Sequence, residues 1–292
     1  MLYREPLSRK IFLKFNYLFL ALSSILCIYP MLHLLAVSLS SNIPVQAGTV
    51  NIWPVGFQLN TYNFVIRDPK FYTAFFISVE RTVLGVVISM LLVVLAAYPL
   101  SKRRNIFGAR DFYVWFFLIT ILFSGGLIPG YLAVRYTGLV DTIWALIIPG
   151  AVPVFNVILL QNFFKELPDE ISEAAFMDGA GHWITLFRIM IPLSKPVLAT
   201  LTLFTAVGHW NSWFDGMLFM NKPENYPLQT YLQTIVVQVD LKIVNNLNQL
   251  KDVCEQNSKA AQIFIAMLPI LCIYPFLQKY FTKGIVLGSV KG

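Results

Sequence analysis

The chain has 292 residues, of which 57% are hydrophobic and only 13% are charged, and its mean hydropathy is +0.66. Soluble domains average roughly 45–50% apolar and about 25% charged residues, so a water-soluble core of this length cannot hold so much apolar surface. A net charge of +7 would suit a nucleic-acid partner in a soluble protein, but every basic run lies in a short loop between apolar stretches. The composition therefore excludes an ordinary soluble protein. We expect the lipid bilayer to be the solvent for most of the chain, and we expect no nucleic-acid partner.

Six apolar stretches are long enough to form a transmembrane helix, which needs about 20 residues. In chain order they cover about residues 12–38, 72–98, 112–131, 139–163, 196–219 and 260–281. The first is too long for the core of a signal peptide and lacks a small-residue cleavage site, so we interpret it as a retained span. The fourth is interrupted by Pro149, Gly150 and Pro153, which a span tolerates only where neighbours satisfy the freed backbone groups. We predict an all-α membrane protein with a single domain over residues 1–292.

The loops between these stretches divide the basic residues unequally. Of the 22 Lys and Arg residues, 14 fall on the side that holds both termini and the loops 101–111 and 164–195, 7 fall on the other side, and Arg81 lies inside a span. Cytoplasmic loops collect Lys and Arg during insertion. We therefore predict that both termini are cytoplasmic and that the loops 39–71, 132–138 and 220–259 are extracytoplasmic.

Short motifs that indicate catalysis are missing from the sequence. There is no Walker A motif to cradle nucleotide phosphates, and no His-Glu-x-x-His, Cys-x-x-Cys or Gly-x-Ser-x-Gly motif. The side chains that could bind a metal are scattered and show no ligand spacing: His33, His182, His209, Cys27, Cys254 and Cys272. We expect no catalytic residue, no metal site and no cofactor in this chain.

The loop 164–195 carries a helical pattern of its own. Pro168 followed by two acidic residues is typical of a helix start, because proline suits the first turn and acids complement the dipole there. Gly179 and Gly181 then break the helix, and a second short amphipathic stretch leads to Pro192. By physics alone two interpretations are about equally open. The segment is either an interfacial helical hairpin without a partner or a rigid knob that seats in another protein.

Six residues of this loop follow a known spacing: Glu173, Ala174, Ala175, Gly179, Ile189 and Pro192. With that spacing the loop closely resembles the EAA loop of ABC importer permeases, Glu-Ala-Ala-x3-Gly-x9-Ile-x-Leu-Pro. Ile191 replaces the leucine of the pattern, a change that conserves side-chain volume. Asp178 and Pro196 also resemble the carbohydrate-importer branch.

Two further segments resemble that branch more weakly. Residues 210–215 read Trp-Asn-Ser-Trp-Phe-Asp, and the C-terminal residues 288–292 read Gly-Ser-Val-Lys-Gly, similar to the tails of maltose-type permeases. The resemblance covers essentially the whole chain. It implies the six-helix fold of type I ABC importer permeases in a bacterial inner membrane.

The resemblance also implies roles and partners. In such importers the EAA loop docks in a cleft of a separate ATPase subunit and transmits its nucleotide-driven closure to the spans. The residues assigned to this coupling are Glu173, Ala174, Ala175, Asp178, Gly179, Gly288 and Lys291. Glu173 would make the polar contact, the two alanines the close packing, and Gly179 the elbow. The implied partners are a second permease subunit, expected to be a distinct homologue, two ATPase subunits that bind ATP and Mg²⁺, and an extracytoplasmic solute-binding protein.

Arg81 is a candidate for the substrate path, because an arginine about nine residues into a span is costly and usually faces a cavity or a partner. A buried pair with an acid of another span and snorkelling to the surface are the alternatives.

In the fifth stretch Thr202, Thr205, His209 and Trp213 share one arc of a regular helix, and Asn211 and Asp215 lie on nearly the opposite face. Both faces cannot line one pore if the helix is regular. The full set of path candidates is Arg81, Thr205, His209, Trp210, Asn211, Trp213 and Asp215. For the polar residues of the fifth stretch the alternative is hydrogen bonding between helices, and for its tryptophans it is anchoring at the membrane interface.

These features predict a permease that forms half of the translocation path for an oligosaccharide or polysaccharide. Arg81 and the extracytoplasmic basic residues would suit an acidic, alginate-like cargo. One alternative is an importer of the same class for a peptide or an amino acid. Another is an ATP-independent secondary transporter, although the paired broken helices and repeats of that class are not evident. A membrane enzyme would need a site that the sequence does not show.

Overall fold

The computed structural model describes the backbone of residues 7–242 and 255–289 and the side chains of residues 8–235 and 256–275. Every regular element over these residues is helical, which agrees with the predicted all-α class. The α-helices are α1 (Leu7–Ser38), α2 (Asn42–Gln46), α3 (Asn60–Arg67), α4 (Pro69–Ser101), α5 (Arg110–Leu122), α6 (Leu127–Tyr136), α7 (Ile143–Ile147), α8 (Val154–Glu166), α9 (Asp169–Met177), α10 (His182–Ile184), α11 (Ile191–Leu193), α12 (Lys195–Asn211), α13 (Phe214–Phe219), α14 (Leu228–Lys242) and α15 (Glu255–Ser289). A π-helical segment, Thr185–Met190, joins α10 to α11, and 3-10 turns cover Ile148–Gly150 and Pro223–Asn225.

The described residues hold three candidate membrane spans, or up to six when each bent helix pair is counted as one span. Three helices contain a continuous stretch long and apolar enough to cross: Ser8–Ser38 in α1, Pro69–Ser101 in α4 and Gln256–Pro275 in α15. The bent pairs are α5 with α6 at 117°, α7 and its 3-10 turn with α8 at 47°, and the α10–α11 segment with α12 at 83°.

The third predicted span, residues 112–131, is not a straight helix. α5 ends at Leu122, and α6 begins at Leu127 after the 117° bend. Gly126 between them has φ +85°, a left-handed conformation that glycine adopts without a steric penalty. Hydropathy alone could not reveal the bend, because the apolar residues continue on both sides of it.

The fourth and fifth predicted spans are also interrupted. In the fourth, the helix breaks after Gly150 and resumes at Val154, at the proline and glycine residues where a break was expected. In the fifth, α12 ends at Asn211 and α13 begins at Phe214, so residues 196–219 do not form the continuous helix that their length predicts. Such a break leaves backbone groups that other segments must satisfy.

Contacts among the described residues form two compact units. One lies within Met1–Tyr72 and Thr234–Leu268, and the other lies within Thr73–Gln233 and Pro269–Gly292. All three boundaries fall inside continuous helices, namely α4, α14 and α15. The single domain over residues 1–292 stays a prediction.

In the first unit, Ser40 organises the chain that follows α1. Its hydroxyl donates to the carbonyl of Ala36 at 2.6 Å and accepts from the amide of Val55 at 2.9 Å. Its carbonyl accepts from Gln58 Nε2 at 3.0 Å and from Asn257 Nδ2 at 2.5 Å. Since Ser40 is fully buried, these bonds satisfy polar groups that would otherwise destabilise the fold by about 1–3 kcal/mol each.

The apolar side chains of α1 are largely exposed. Phe15 and Leu26, for example, are 67% and 76% exposed. Exposing such side chains to water is unfavourable by roughly 25 cal/mol per Å² of apolar surface. Contact of the same surface with lipid tails carries no such penalty, which agrees with a membrane protein.

In the second unit, α4, α8 and α12 meet in an apolar core. Its fully buried members include Val93 of α4, Leu160 of α8 and Leu201 of α12. Leu186 and Met190 of the π-helical segment belong to the same cluster. The end of the loop 164–195 is therefore packed into the helical core.

Candidate functional site

The loop 164–195 folds as predicted into a short helix, a glycine elbow and a second helical segment. α9 begins with two acidic residues in its first turn and ends at Met177. Gly179 then has φ +79°, and the amide of Ala180 donates to the carbonyl of Ala175 at 2.9 Å. A left-handed glycine with a bond back into the last turn is a common helix ending. The loop is a defined structure and not a loose connection.

The predicted coupling residues of α9 do not all face outward. Glu173, Ala174 and Asp178 are exposed, whereas Ala175 is buried within the chain. Met177 is 88% exposed, the highest value among the exposed large hydrophobic residues that the structure describes. It lies four positions after Glu173 and so on the same helical face. Sequence reasoning did not single out Met177, although an apolar residue at that spacing from the glutamate was a usable signal.

Several contacts join this loop to the end of α4, and two of them involve Arg103 and Tyr98. Arg103, just after α4, forms an exposed ion pair with Asp169 in the first turn of α9. The Tyr98 hydroxyl of α4 lies 3.2 Å from Nδ1 of His182, whose ring packs edge-on against Phe176 of α9 at 5.1 Å. α9 and the segment after it are therefore in contact with the end of α4.

No side-chain contact with this loop is described for the two predicted tail residues, Gly288 and Lys291. Gly288 lies in the last turn of α15, and Lys291 lies outside the described residues. Their assignment to coupling stays a prediction.

Arg81 of α4 contacts the break in the fifth span and the short helix that follows it. It is buried, at 2% exposure, and forms an ion pair with Asp215 of α13. Its Nη1 also donates to the carbonyl of Ser212 at 3.1 Å, inside the break between α12 and α13. The same carboxylate accepts from the Ser212 hydroxyl at 2.8 Å and from the amide of Gly216 at 2.9 Å. Of the alternatives that the sequence left open, the buried pair with an acid on another span is the one observed.

A cavity of about 360 Å³ lies beside this ion pair, within the usual size range of small-ligand sites. Arg81, His209 and Asp215 line it together with Asn156 and Thr205. A regular helix would place Asp215 about 120° around the axis from His209. The break after Asn211 removes that restriction and brings both residues to one cavity.

The polar groups of the cavity differ in what they can offer a cargo. The Thr205 hydroxyl donates to the carbonyl of Leu201 at 2.8 Å and accepts from Asn156 Nδ2 at 3.1 Å, so its bonding capacity is used within the chain. His209 lies over Gly85, since a Cβ atom there would be 2.5 Å from His209 Nε2. Sequence reasoning missed Asn156. A lone amide soon after Pro153 in an apolar stretch was its signal.

Three path candidates do not line this cavity. Trp210 is buried elsewhere, edge-on against Phe75 at 5.8 Å. Asn211 and Trp213 are exposed, and Trp213 follows the end of α12, so the predicted helical arc stops before it. The structure thus brings together four of the seven candidates: Arg81, Thr205, His209 and Asp215.

Comparison with known proteins places this geometry in a family. Residues 2–286 match the family described as "Binding-protein-dependent transport system inner membrane component". The chain is 41% identical over 278 residues to the protein LplC of Bacillus subtilis, covering 95% of this chain and 94% of LplC. It is 38% identical over 279 residues to the polygalacturonan/rhamnogalacturonan transport system permease protein YtcP of the same organism, covering 94% and 96%.

A solved structure shares the fold over nearly the whole chain. It is the crystal structure of a bacterial ABC transporter involved in the import of the acidic polysaccharide alginate. One of its chains superposes with a TM-score of 0.87 at 33% identity, covering 95% of this chain and 99% of that one. This confirms the predicted permease fold and the resemblance on which it rested. The chain belongs to the binding-protein-dependent transport system inner membrane component family, as the non-catalytic multi-pass permease subunit of an ABC transporter.

Proposed function

We propose that this chain forms half of the translocation path of an ATP-driven importer for an oligosaccharide or polysaccharide. A second permease subunit, a distinct homologue, forms the other half. Two ATPase subunits bind ATP and Mg²⁺ and dock on α9, and an extracytoplasmic binding protein delivers the cargo. Both termini lie in the cytoplasm, on the side that holds 14 of the 22 Lys and Arg residues.

The exposed face of α9 is the observation that carries the coupling role. Glu173 offers a carboxylate, and Met177 offers an apolar, flexible side chain that adapts to a cleft in a partner. The elbow at Gly179 and the packed π-helical segment hold this face in one orientation. A docked ATPase that closes on ATP would push α9 and, through Arg103 and Tyr98, move α4.

The cavity at Arg81 is the proposed contact point for the cargo inside the membrane. The charge of Arg81 is balanced by Asp215, so the pair presents no net charge. His209 and Asn156 offer hydrogen-bonding groups suited to neutral hydroxyls. The pore is therefore expected to recognise sugar hydroxyls, and selection of an acidic sugar would fall to the binding protein.

The names of two similar proteins support a polysaccharide cargo. YtcP is named for polygalacturonan and rhamnogalacturonan, and the superposed transporter imports the acidic polysaccharide alginate. Galacturonan is a polymer of a sugar acid, so both names favour an acidic cargo. The paired Arg81 adds nothing to this argument, which rests on the likeness alone.

The test is purification of the tagged chain from its native membrane in mild detergent, with the bound subunits identified by mass spectrometry. The complex is then reconstituted in liposomes with its binding protein. Uptake of labelled oligogalacturonide, alginate oligomer, maltodextrin and a peptide is measured with and without ATP. We expect a Walker A ATPase and a second permease in the complex, and ATP-dependent uptake of a saccharide.

Two outcomes would contradict the proposal. ATP-dependent uptake of the peptide alone would keep the importer class and overturn the cargo. Uptake by the chain alone without ATP would show a secondary transporter and overturn the coupling role of α9.

A further inference from the structure

Two cavities meet beside the loop 164–195, at the end of α4. The first, of about 360 Å³, is apolar and is lined by Leu95, Tyr98, Phe107 and Leu186, among others. The second, of about 630 Å³, is bordered by five basic side chains: Lys102, Arg103, Arg104, Arg110 and Lys165. Lys102 and Ile106 line both cavities, so an apolar groove opens directly onto a basic one.

The charges of the basic cavity are unevenly satisfied. Arg103 pairs with Asp169, and Arg104 and Arg110 share Asp111. Lys102 has no carboxylate within ion-pair distance among the residues that the structure describes. Its Nζ lies 3.5 Å from the Ser172 hydroxyl and 4.6 Å from the centre of the Tyr98 ring. Burial lowers the pKa of Lys102, and Asp169 only partly opposes that shift. A half-buried ammonium among arginines is stabilised by an added anion.

The length of α4 puts the groove within reach of lipid headgroups. α4 has 33 residues, about 50 Å at 1.5 Å per residue, whereas the hydrocarbon core is about 30 Å thick. α4 is therefore long enough for its last turn, which holds Tyr98, to reach the headgroup region. Trp183 at the edge of the groove is 66% exposed and stacks on Phe187 at 6.0 Å. Exposed aromatic side chains are typical of membrane interfaces.

We infer that the joined cavities bind one anionic phospholipid, with its phosphate at Lys102 and an acyl chain in the groove lined by Leu95 and Leu186. A carboxylate of a protein partner, or free phosphate, would occupy the basic cavity and leave the apolar groove empty. An anion joined to a long apolar chain fills both. Since Ser172 and Glu173 of α9 border the basic cavity, the bound lipid also steadies the joint between α9 and α4.

Quenching of Trp183 fluorescence tests this site in the complete importer. The complex is reconstituted in phosphatidylcholine nanodiscs that contain a fixed fraction of brominated phosphatidylglycerol or of brominated phosphatidylcholine, since bromine quenches nearby indoles. The Trp183 signal is the difference between wild type and Trp183→Phe. Trp115, 63% exposed on α5, provides a matched control through Trp115→Phe.

We expect phosphatidylglycerol to be preferred about fivefold at Trp183, equivalent to about 1 kcal/mol for one lysine near the surface, and not to be preferred at Trp115. Lys102→Gln should abolish the preference, and Lys102→Arg should keep it. Equal quenching of Trp183 by the two lipids would overturn the proposal. So would loss of the preference on addition of free phosphate, or a Lys102→Gln complex that loses its ATPase subunits while the lipid preference stays unchanged.

Discussion

Two Arg–Asp pairs of this permease use the same chemistry in opposite surroundings. In the pair of Arg81 with Asp215 the side chains are 3% and 24% exposed, whereas in the pair of Arg103 with Asp169 they are 72% and 57% exposed. Exposed pairs contribute about 0–1 kcal/mol, because water and salt screen them. Removing one partner of a buried pair destabilises a protein by about 3–5 kcal/mol, because a buried charge is left unpaired.

The difference in exposure means that the two pairs contribute differently to the stability of the subunit. The buried pair stabilises the break in the fifth span, because Arg81 binds both Ser212 in the break and Asp215 of α13. Both side chains of the pair also line the cavity. The exposed pair lies between α9 and the residue that follows α4, where water screens it and it contributes little to stability. Each of the following predictions breaks or sharpens this comparison.

The largest effect is expected for Asp215→Ala. It leaves Arg81 charged, buried and unpaired, and removes the acceptor for the Ser212 hydroxyl. We expect a loss of about 3–5 kcal/mol, seen as a lower melting temperature and little folded complex in fluorescence-detected size-exclusion chromatography. A matched double variant, Arg81→Gln with Asp215→Asn, removes both charges and should recover most of the folded complex. Equal damage in the single and double variants would show that the charge pair is not the cause.

A smaller effect is expected for Gly85→Ala next to the same cavity. The new Cβ would lie 2.5 Å from His209 Nε2, so the imidazole must shift, and overpacking of this kind costs about 1–3 kcal/mol. Transport by the reconstituted complex should fall, while the ATPase subunits stay bound. Adding His209→Ala removes the clash. If the double variant is no more stable than Gly85→Ala alone, the imidazole does not lie over Gly85.

The loop 164–195 and the site at Arg81 also show what the sequence could and could not predict. The spacing from Glu173 to Pro192 predicted the coupling loop down to its glycine elbow, because local helix signals and a specific pattern coincide there. Arg81 was identified as a costly intramembrane charge. Its partner was not predicted, since the pairing depends on a break in the fifth span that no proline or glycine announces at Ser212.

The breaks in the fourth and third spans differ in how well the sequence predicts them. Pro149, Gly150 and Pro153 made the fourth break predictable, because proline removes a hydrogen bond and blocks the helix. The third span turns by 117° at Ser124, Gly125 and Gly126. These residues are a turn signal, but the apolar residues on both sides of them give the hydropathy of one continuous span. Asn156 was overlooked because its role comes from Thr205, 49 residues away in the chain.

Gly179→Val tests the elbow of the coupling loop. A Cβ atom at Gly179 meets open space, but φ is +79°, so the strain is in the backbone and amounts to about 1–2 kcal/mol. We expect the complex to assemble and hydrolyse ATP, with transport reduced about tenfold, equivalent to about 1.4 kcal/mol. Gly181→Ala is the matched control, because Gly181 has equal space and φ −79°. Normal transport by Gly179→Val would remove the elbow from the coupling mechanism.

The smallest effect is expected for Arg103→Ala at the exposed pair. Stability should change by less than about 1 kcal/mol, because water already screens this pair. Any loss of coupling should be mild and should shrink in high salt, as surface electrostatics do. The measurement is the number of cargo molecules moved per ATP at low and high ionic strength. A loss of stability as large as that of Asp215→Ala would contradict the distinction between the two pairs.

Disulfide cross-linking tests most directly whether α9 is the docking surface for an ATPase subunit. In a chain freed of Cys27, Cys254 and Cys272, a cysteine is placed by Met177→Cys on the exposed face or by Ala175→Cys on the buried face. Each variant is paired with single cysteines around the cleft of the ATPase. The proposed mechanism predicts rapid cross-linking from position 177, altered by ATP, and none from position 175. Equal cross-linking from both positions, or none from position 177 in an assembled and active complex, would contradict it.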